Sequence, residues 1–382
     1  MSTEVSSETT IAFHPGYYVK QYLDSQQMTQ KELADRLNTT EKNVSQLVNG
    51  KLKLNEDWYS RLAFAFGTSE ALWRNLHQQY QMDLARVQRE KELAKEEEIL
   101  SKLDYSFWTN LGVVKKTRQK AEKVDELKRY LRISSLTVLA NHDFLVQYRT
   151  AVKNVDEVNV INANAWVQTA MNIGDQQVVS PLNLAFLKEH LAEIRSLSLT
   201  EQDVFIPRLK EIFSKAGVAF VVVPHLKKSG ISGAVKWLGK DQKEKALLAI
   251  NDRKKSSDLF WFALFHEIRH VFQQKTSHII ISPDGNHGIA SALKLGKLEQ
   301  DADDFAANTL INPADYARFL EKGTFTTAAV SAFASEIGIQ PGIVVGRLQR
   351  DGYLEFSQLN QLKQHYEILP PKTGLSSVGE RI

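Results

Sequence analysis

The sequence of 382 residues predicts a mainly α fold with a small β-sheet, an α+β class, on three observations. Apolar residues recur at helical spacing over residues 14–80 and again over 105–199. β-Branched and aromatic runs are confined to residues 218–223 (VAFVVV), 233–238 and 246–250, with turn residues between them as a small sheet requires. Beyond Ser256 the helical pattern returns and persists to the C-terminal tail.

Taken in order, residues 1–12 (MSTEVSSETTIA) are small and polar, lack an apolar face and read as a frayed terminus. Residues 13–81 form a bundle of about five short helices, broken by polar turns at 25–28, 38–40 and 49–54. Residues 82–104 carry many charges over a thin apolar stripe, which predicts a solvated linker helix. A helical middle region spans 105–200. Its basic stretch, from Lys115 and Lys116 through Arg118, Lys120, Lys123, Lys128 and Arg129 to Arg132, reads as a solvated face in preference to a phosphate-binding patch. A last domain covers 201–370 and holds the strands, and 371–382 are a flexible tail.

Composition narrows the chemistry. With no cysteine, a metal must be held by His, Asp and Glu, and a covalent nucleophile must be Ser, Thr or Lys. A net charge of +3 does not by itself announce nucleic-acid binding, so any basic footprint is local. No secretion signal and no apolar run of membrane-spanning length is evident, which predicts a cytoplasmic protein without a membrane partner.

Residues 29–32 (TQKE) have the pattern of a capping box: Thr29 accepts from the third helical amide while Glu32 reaches back to the cap. Leu33, Ala34 and Leu37 give that helix its buried face, and Asn38 and Thr39 turn the chain. Thr40 caps a second helix whose Val44, Leu47 and Val48 pack inward, leaving Glu41, Lys42, Asn43, Ser45 and Gln46 outward. These are hydrogen-bonding side chains suited to base edges. Lys42, Asn43 and Gln46 are the leading base readers, Ser45 shares their face, and Gln30, Lys51 and Lys53 are placed to contact phosphates.

Residues 14–16 (HPG), 29–34 (TQKELA), 44–51 (VSQLVNGK) and 62–69 (LAFAFGTS), with Trp73 and Asn75-Leu76, resemble the XRE-type antidote (HigA or VapI) family of toxin–antitoxin regulators. The resemblance covers about residues 13–80. It implies a lambda-repressor-like helix-turn-helix bundle that binds double-stranded operator DNA as a homodimer.

The segment His266-Glu267-Ile268-Arg269-His270 is a His-Glu-x-x-His motif after a strongly apolar run, 259–265. On a helix its two histidines lie about 40° apart and direct ring nitrogens at one ion. Glu267 then serves as the catalytic base toward the attacking water, whose pKa the ion lowers to about 7. Zinc needs a third protein ligand, and the acidic run 299–304 supplies candidates. Glu299 is assigned as ligand, and Asp303, one turn on, accepts a hydrogen bond from a ligating histidine. Asp301, on a different face, is the alternative ligand or a supporting carboxylate. His278 and His287, beside Asp284-Gly285-Asn286, read as solvent-exposed loop residues, with an approach to the metal site as the alternative.

Asp252-Arg253, Ser257-Asp258, the His-Glu-x-x-His motif, and residues 298–307 with Leu310-Ile311 and Pro313 resemble the ImmA/IrrE family of metallopeptidases. Residues 338–348 (GIQPGIVVGRL) resemble a C-terminal segment found where that family is fused to antidote-type helix-turn-helix domains. The resemblance implies a zincin-like, zinc-dependent endopeptidase that cleaves a repressor, an antitoxin or itself. One position departs from the family: Arg269 stands where Gly is usual, able to crowd the cleft, pair with Asp301 or Asp304, or stabilise an oxyanion. The competing reading is an antitoxin-like autorepressor whose peptidase-like domain only senses a signal or binds a toxin.

Overall fold

The computed structural model describes residues 3–141, 144, 156–238, 245–251, 256–274, 280–283 and 295–366. It divides into two compact units, Met1–Glu98 and Ile99–Ile382. The fold is mixed α and β, mainly helical, with small sheets.

The first unit has strands β1 (Glu4–Ser6) and β2 (Ile11–Phe13) and helices α1 (Pro15–Gln26), α2 (Gln30–Arg36), α3 (Glu41–Val48) and α4 (Glu56–Phe66). The long α5 (Glu70–Ser101) follows and crosses its boundary. The expectation of a frayed terminus is corrected here. β1 and β2 pair as an antiparallel hairpin, and Glu90 of α5 accepts hydrogen bonds from Ser7 Oγ at 2.5 Å, Thr9 Oγ1 at 2.8 Å and Thr10 Oγ1 at 2.9 Å. Ala12 is buried with Tyr80 and Val87. No apolar periodicity announces this hairpin, because one distant carboxylate orders it through hydroxyl groups.

Leu33, Ala34 and Leu37 of the α2 segment meet Val44, Leu47 and Val48 of α3 in the unit's core, with Val19, Leu62 and Trp73 around them. A side chain at Gly16 would overlap the carbonyl oxygen of Leu47, so only glycine lets α1 start this close to the end of α3. Thr29 Oγ1 accepts from the Glu32 amide at 3.1 Å and Thr40 Oγ1 from the Asn43 amide at 3.2 Å. The reciprocal half of the capping box is replaced: the Glu32 carboxylate pairs with Arg36 at 2.9 Å. Arg61 of α4 donates to the carbonyls of Leu37 and Asn38 and so closes the turn between α2 and α3.

In the second unit α6 (Ser106–Asn110), α7 (Lys120–Leu131), α8 (Glu157–Asp175), α9 (Leu184–Glu189), α10 (Leu191–Ser196) and α11 (Gln202–Lys215) precede the main sheet. Then come β3 (Val218–Val223), β4 (Ile231–Leu238), β5 (Lys245–Asn251), α12 (Ser257–Gln273) and β6 (Ile280–Pro283). The chain continues with α13 (Leu295–Leu310), α14 (Pro313–Glu321), α15 (Thr327–Ile337) and α16 (Pro341–Arg350). Sheet order is β3-β5-β4-β6, with β3 and β5 parallel and the other pairs antiparallel.

Residue alternation explains why β3 reads as an unbroken apolar run. Phe220 and Val222 join the core built with α11 and α12, while Val221 and Leu247 lie against Gly174 of α8. α8 is buried almost all round, and its polar side chains are satisfied internally. Asn164 Nδ2 donates to Leu139 O at 2.9 Å, Trp108 Nε1 donates to Thr169 Oγ1 at 3.0 Å, and Trp166 Nε1 donates to Pro224 O at 3.0 Å. The basic stretch around α7 is largely exposed and partly paired, Arg129 with Glu126 and Arg132 with Asp175. Asp252, Arg253, Asp284 to Asn286, His278, His287 and the tail after Tyr366 lie outside the described residues. Among the described residues no single helix is long and apolar enough to cross a membrane.

Candidate metal centre

The run before the motif makes α12 the central helix of the second unit: Phe260, Trp261, Leu264, Phe265 and Ile268 sit in the core. With that face buried, the helical period carries His266 and His270 together onto the side facing α13. Their Nε2 atoms are 2.9 Å apart. Glu299 of α13 meets both, Oε2 lying 3.2 Å from His266 Nε2 and Oε1 lying 3.5 Å from His270 Nε2. These three side chains bring ligand-type atoms within 4.8 Å of one another, the geometry of a group able to hold a metal ion.

Each histidine has its other nitrogen held. His266 Nδ1 is 2.9 Å from Asp303 Oδ1, and Asp303 Oδ2 takes a 2.6 Å ion pair from Arg350 of α16. His270 Nδ1 is 2.9 Å from Gln273 Oε1. Gln273 Nε2 donates to Leu298 O at 3.0 Å and Asp301 Oδ2 at 2.8 Å, both acceptors only, so its oxygen must face the imidazole. His270 therefore carries its proton on Nδ1 and presents the Nε2 lone pair, and the Asp303 contact favours the same tautomer in a neutral His266. The donor set fits a metal that takes imidazole and carboxylate together.

Electrostatics agree with that fit. Burial pushes the His266 pKa down, but hydrogen bonds to Asp303 and Glu299 and the charges of Glu267 and Glu299 outweigh it and raise the group to about 10. Burial pushes Glu299 up, and hydrogen bonds to His266 and His270 reverse this and hold it near about 2. The carboxylates favour positive charge between them, whether a proton on His266 or a metal ion.

Glu267 is completely buried, and its carboxylate lies directly against Gly233 of β4. A Cβ at Gly233 would fall 2.7 Å from Glu267 Cδ, so glycine is what allows the carboxylate to occupy this place. Asp301 stands apart from the His-His-Glu group. Arg269 holds it bidentately, Nε to Oδ2 at 2.7 Å and Nη2 to Oδ1 at 3.0 Å, with the guanidinium 5.4 Å from the Phe305 ring centre. Arg269 is thus anchored to α13.

Sequence reasoning missed Gln273, Gly233 and Arg350. Gln273 had a signal, since three residues past His270 is the same helix face. Gly233 reaches the site from β4, and Arg350 from the last residue of α16, two positions beyond the segment 338–348, where nothing local marks it as a partner of the site. α16 approaches because Gly342 and Gly346 leave room: a Cβ would lie 2.6 Å from Ser257 Oγ at the first and 2.5 Å from Asp258 Cβ at the second. A buried ion pair, Lys363 Nζ to Asp258 Oδ2 at 2.7 Å, fastens the segment after α16 to the start of α12.

In the first unit, α3 presents Lys42 exposed and Asn43, Ser45 and Gln46 half-buried. Asn43 Nδ2 donates to Thr39 Oγ1 at 2.9 Å, which occupies part of its amide. Gln30 is half-buried at the start of α2, and Lys51 and Lys53 are exposed after α3.

The sequence matches no protein-family model and no curated protein. Among solved structures it is similar to an addiction module antidote protein of a HigA family from Coxiella burnetii, at 29% identity over 22% of this chain and 92% of that one, with a TM-score of 0.20.

Proposed function

We propose that this chain is a DNA-binding transcriptional regulator of the toxin–antitoxin or stress-response type that carries a zinc-dependent endopeptidase. The observation that carries the enzymatic half is the convergence of His266, His270 and Glu299, with the Glu267 carboxylate on the next residue of the same helix. His266, His270 and Glu299 would hold the zinc, which would supply Lewis acidity and make a water more acidic. Glu267 accepts the proton of the attacking water on its carboxylate and returns it to the leaving amine of the cleaved peptide. Asp303 and Gln273 keep the two imidazoles in ligating orientation.

The DNA half rests on the α2–turn–α3 pair: two side-chain-capped helices with a shared core, and an outer face of Lys42, Asn43, Ser45 and Gln46. In this reading a homodimer sets α3 against operator bases, Gln30, Lys51 and Lys53 contact phosphates, and the peptidase removes a repressor, an antitoxin or the chain itself.

The test pairs zinc content and mobility shifts on the protein's own promoter with a reporter in cells. We expect about one zinc per chain, promoter binding unchanged in Glu267→Gln, and loss of proteolytic relief in that variant. Unaltered derepression in Glu267→Gln would remove the catalytic half and favour the sensing or toxin-binding module. No promoter binding by the intact chain would remove the other half.

A further inference from the structure

Arg350 ends α16, yet its guanidinium reaches Asp303 on α13 and lies 4.2 Å from the centre of the Phe262 ring on α12. Phe262 is one helical turn before His266, and His266 Nδ1 contacts the same Asp303 carboxylate. Four side chains on three helices therefore close a ring: Phe262, His266, Asp303 and Arg350. Stacking fixes the plane of the guanidinium, and the guanidinium fixes one oxygen of the carboxylate while the imidazole takes the other. Without Arg350, Asp303 keeps only its contact with His266, and the carboxylate that orients Nδ1 is itself no longer fixed from the far side.

We infer that Arg350 is a positioning residue of the metal centre, acting through Asp303 to aim His266 Nε2, so that α16 is part of the site. The inference rests on the metal reading above. Arg269 is no substitute, because it serves the other histidine through Asp301 and Gln273. Arg350 also differs from Arg269 in origin: Gly342 and Gly346 must first let α16 close on α12 before its last residue reaches the site.

The test is a double-mutant cycle on the full chain, with zinc affinity measured by competition against a chelator. Arg350→Met and Asp303→Asn should each weaken zinc by about 10- to 100-fold, and Arg350→Lys should recover part of the loss. The double variant should bind zinc no more weakly than Asp303→Asn alone, since Arg350 works through that carboxylate. In proton–nitrogen NMR spectra of the zinc form, Arg350→Met should shift the His266 Nδ1–H resonance and leave that of His270 in place. Losses that multiply in the double variant, or wild-type affinity in Arg350→Met, overturn the inference while leaving the metal reading standing. A wild-type chain that takes up no zinc overturns both. Should Arg350→Met fail to fold, Phe262→Leu and Arg350→Lys carry the test, and unchanged zinc affinity in both overturns the inference.

Discussion

His14 in the first unit and His266 in the second are buried alike, at 3% and 5% exposure, yet their pKa values are displaced in opposite directions. His14 caps α1, its Nδ1 accepting from the Gly16 amide at 3.0 Å, a role that needs a lone pair. Burial lowers its pKa to about 4, against an upward pull from a backbone hydrogen bond at Leu52 and with the charge of His77 adding to the lowering. Burial also pushes His266 down, but Asp303, Glu299 and Glu267 overcome it and raise the group to about 10. Desolvation is common to both; the carboxylates decide. A buried histidine is thus a neutral cap where amides and rings surround it, and a cation or a metal ligand where acids do.

Removing ligands should break this contrast most severely. His266→Ala or His270→Ala should reduce zinc to background, whereas His14→Ala should leave zinc content untouched. Glu299→Gln should follow, then Asp303→Asn at about 10- to 100-fold, then Asp301→Asn, whose carboxylate serves Arg269 and Gln273. Isothermal titration with zinc gives the order directly. If Asp301→Asn proves the costliest carboxylate change, the assignment of Glu299 is wrong.

The next effect is on pH dependence, where the two histidines have opposite signs. His266 is raised from 6.5 to about 10, so its contribution to the metal-free fold is complete below pH 6.5 and is lost as pH rises through about 10. Glu299, lowered from 4.5 to about 2, contributes fully above pH 4.5 and loses this as pH falls through about 2. His14, lowered from 6.5 to about 4, contributes fully above pH 6.5 and loses this as pH falls toward 4. Zinc needs the Nε2 lone pair that the proton occupies, so the rise in melting temperature on adding zinc should grow from pH 6 to pH 8. A zinc-induced rise that shrinks over this range would contradict the protonated His266.

Legibility in the sequence follows the same division. α2 and α3 could be read from Thr29, Thr40 and the spacing of Leu33, Leu37, Val44 and Leu47, because caps and helical period are local. The pairing of His266 with His270, and the placing of Glu299 and Asp303 on one side of α13, follow from the same period. The sequence offers Asp301 or Asp304 as partners of Arg269, but only the packing of α12 against α13 selects Asp301, which Gln273 also bonds. The run 218–223 showed a strand but not its parallel pairing with β5, which depends on α8 covering the second face. β1 and β2 were invisible, because hydroxyl groups bonding to Glu90 leave no apolar pattern.

The smallest expected effect isolates His14. Asn is among the preferred N-caps, and its side-chain oxygen can accept from the Gly16 amide as Nδ1 does now. His14→Asn should therefore keep α1 capped while losing the edge-on contact of the ring with Tyr80, 5.0 Å between centroids, at a cost of about 1 kcal/mol near pH 7. Asn does not titrate, so the variant lacks the acid-linked loss that begins below pH 6.5 in the wild type. The two stability curves should converge on acidification and cross before pH 4, with hydrogen exchange of the α1 amides as the local readout. Zinc affinity should stay at the wild-type value throughout. Parallel curves with a constant gap would mean that His14 does not change protonation on local unfolding, and the comparison with His266 would lose its first member.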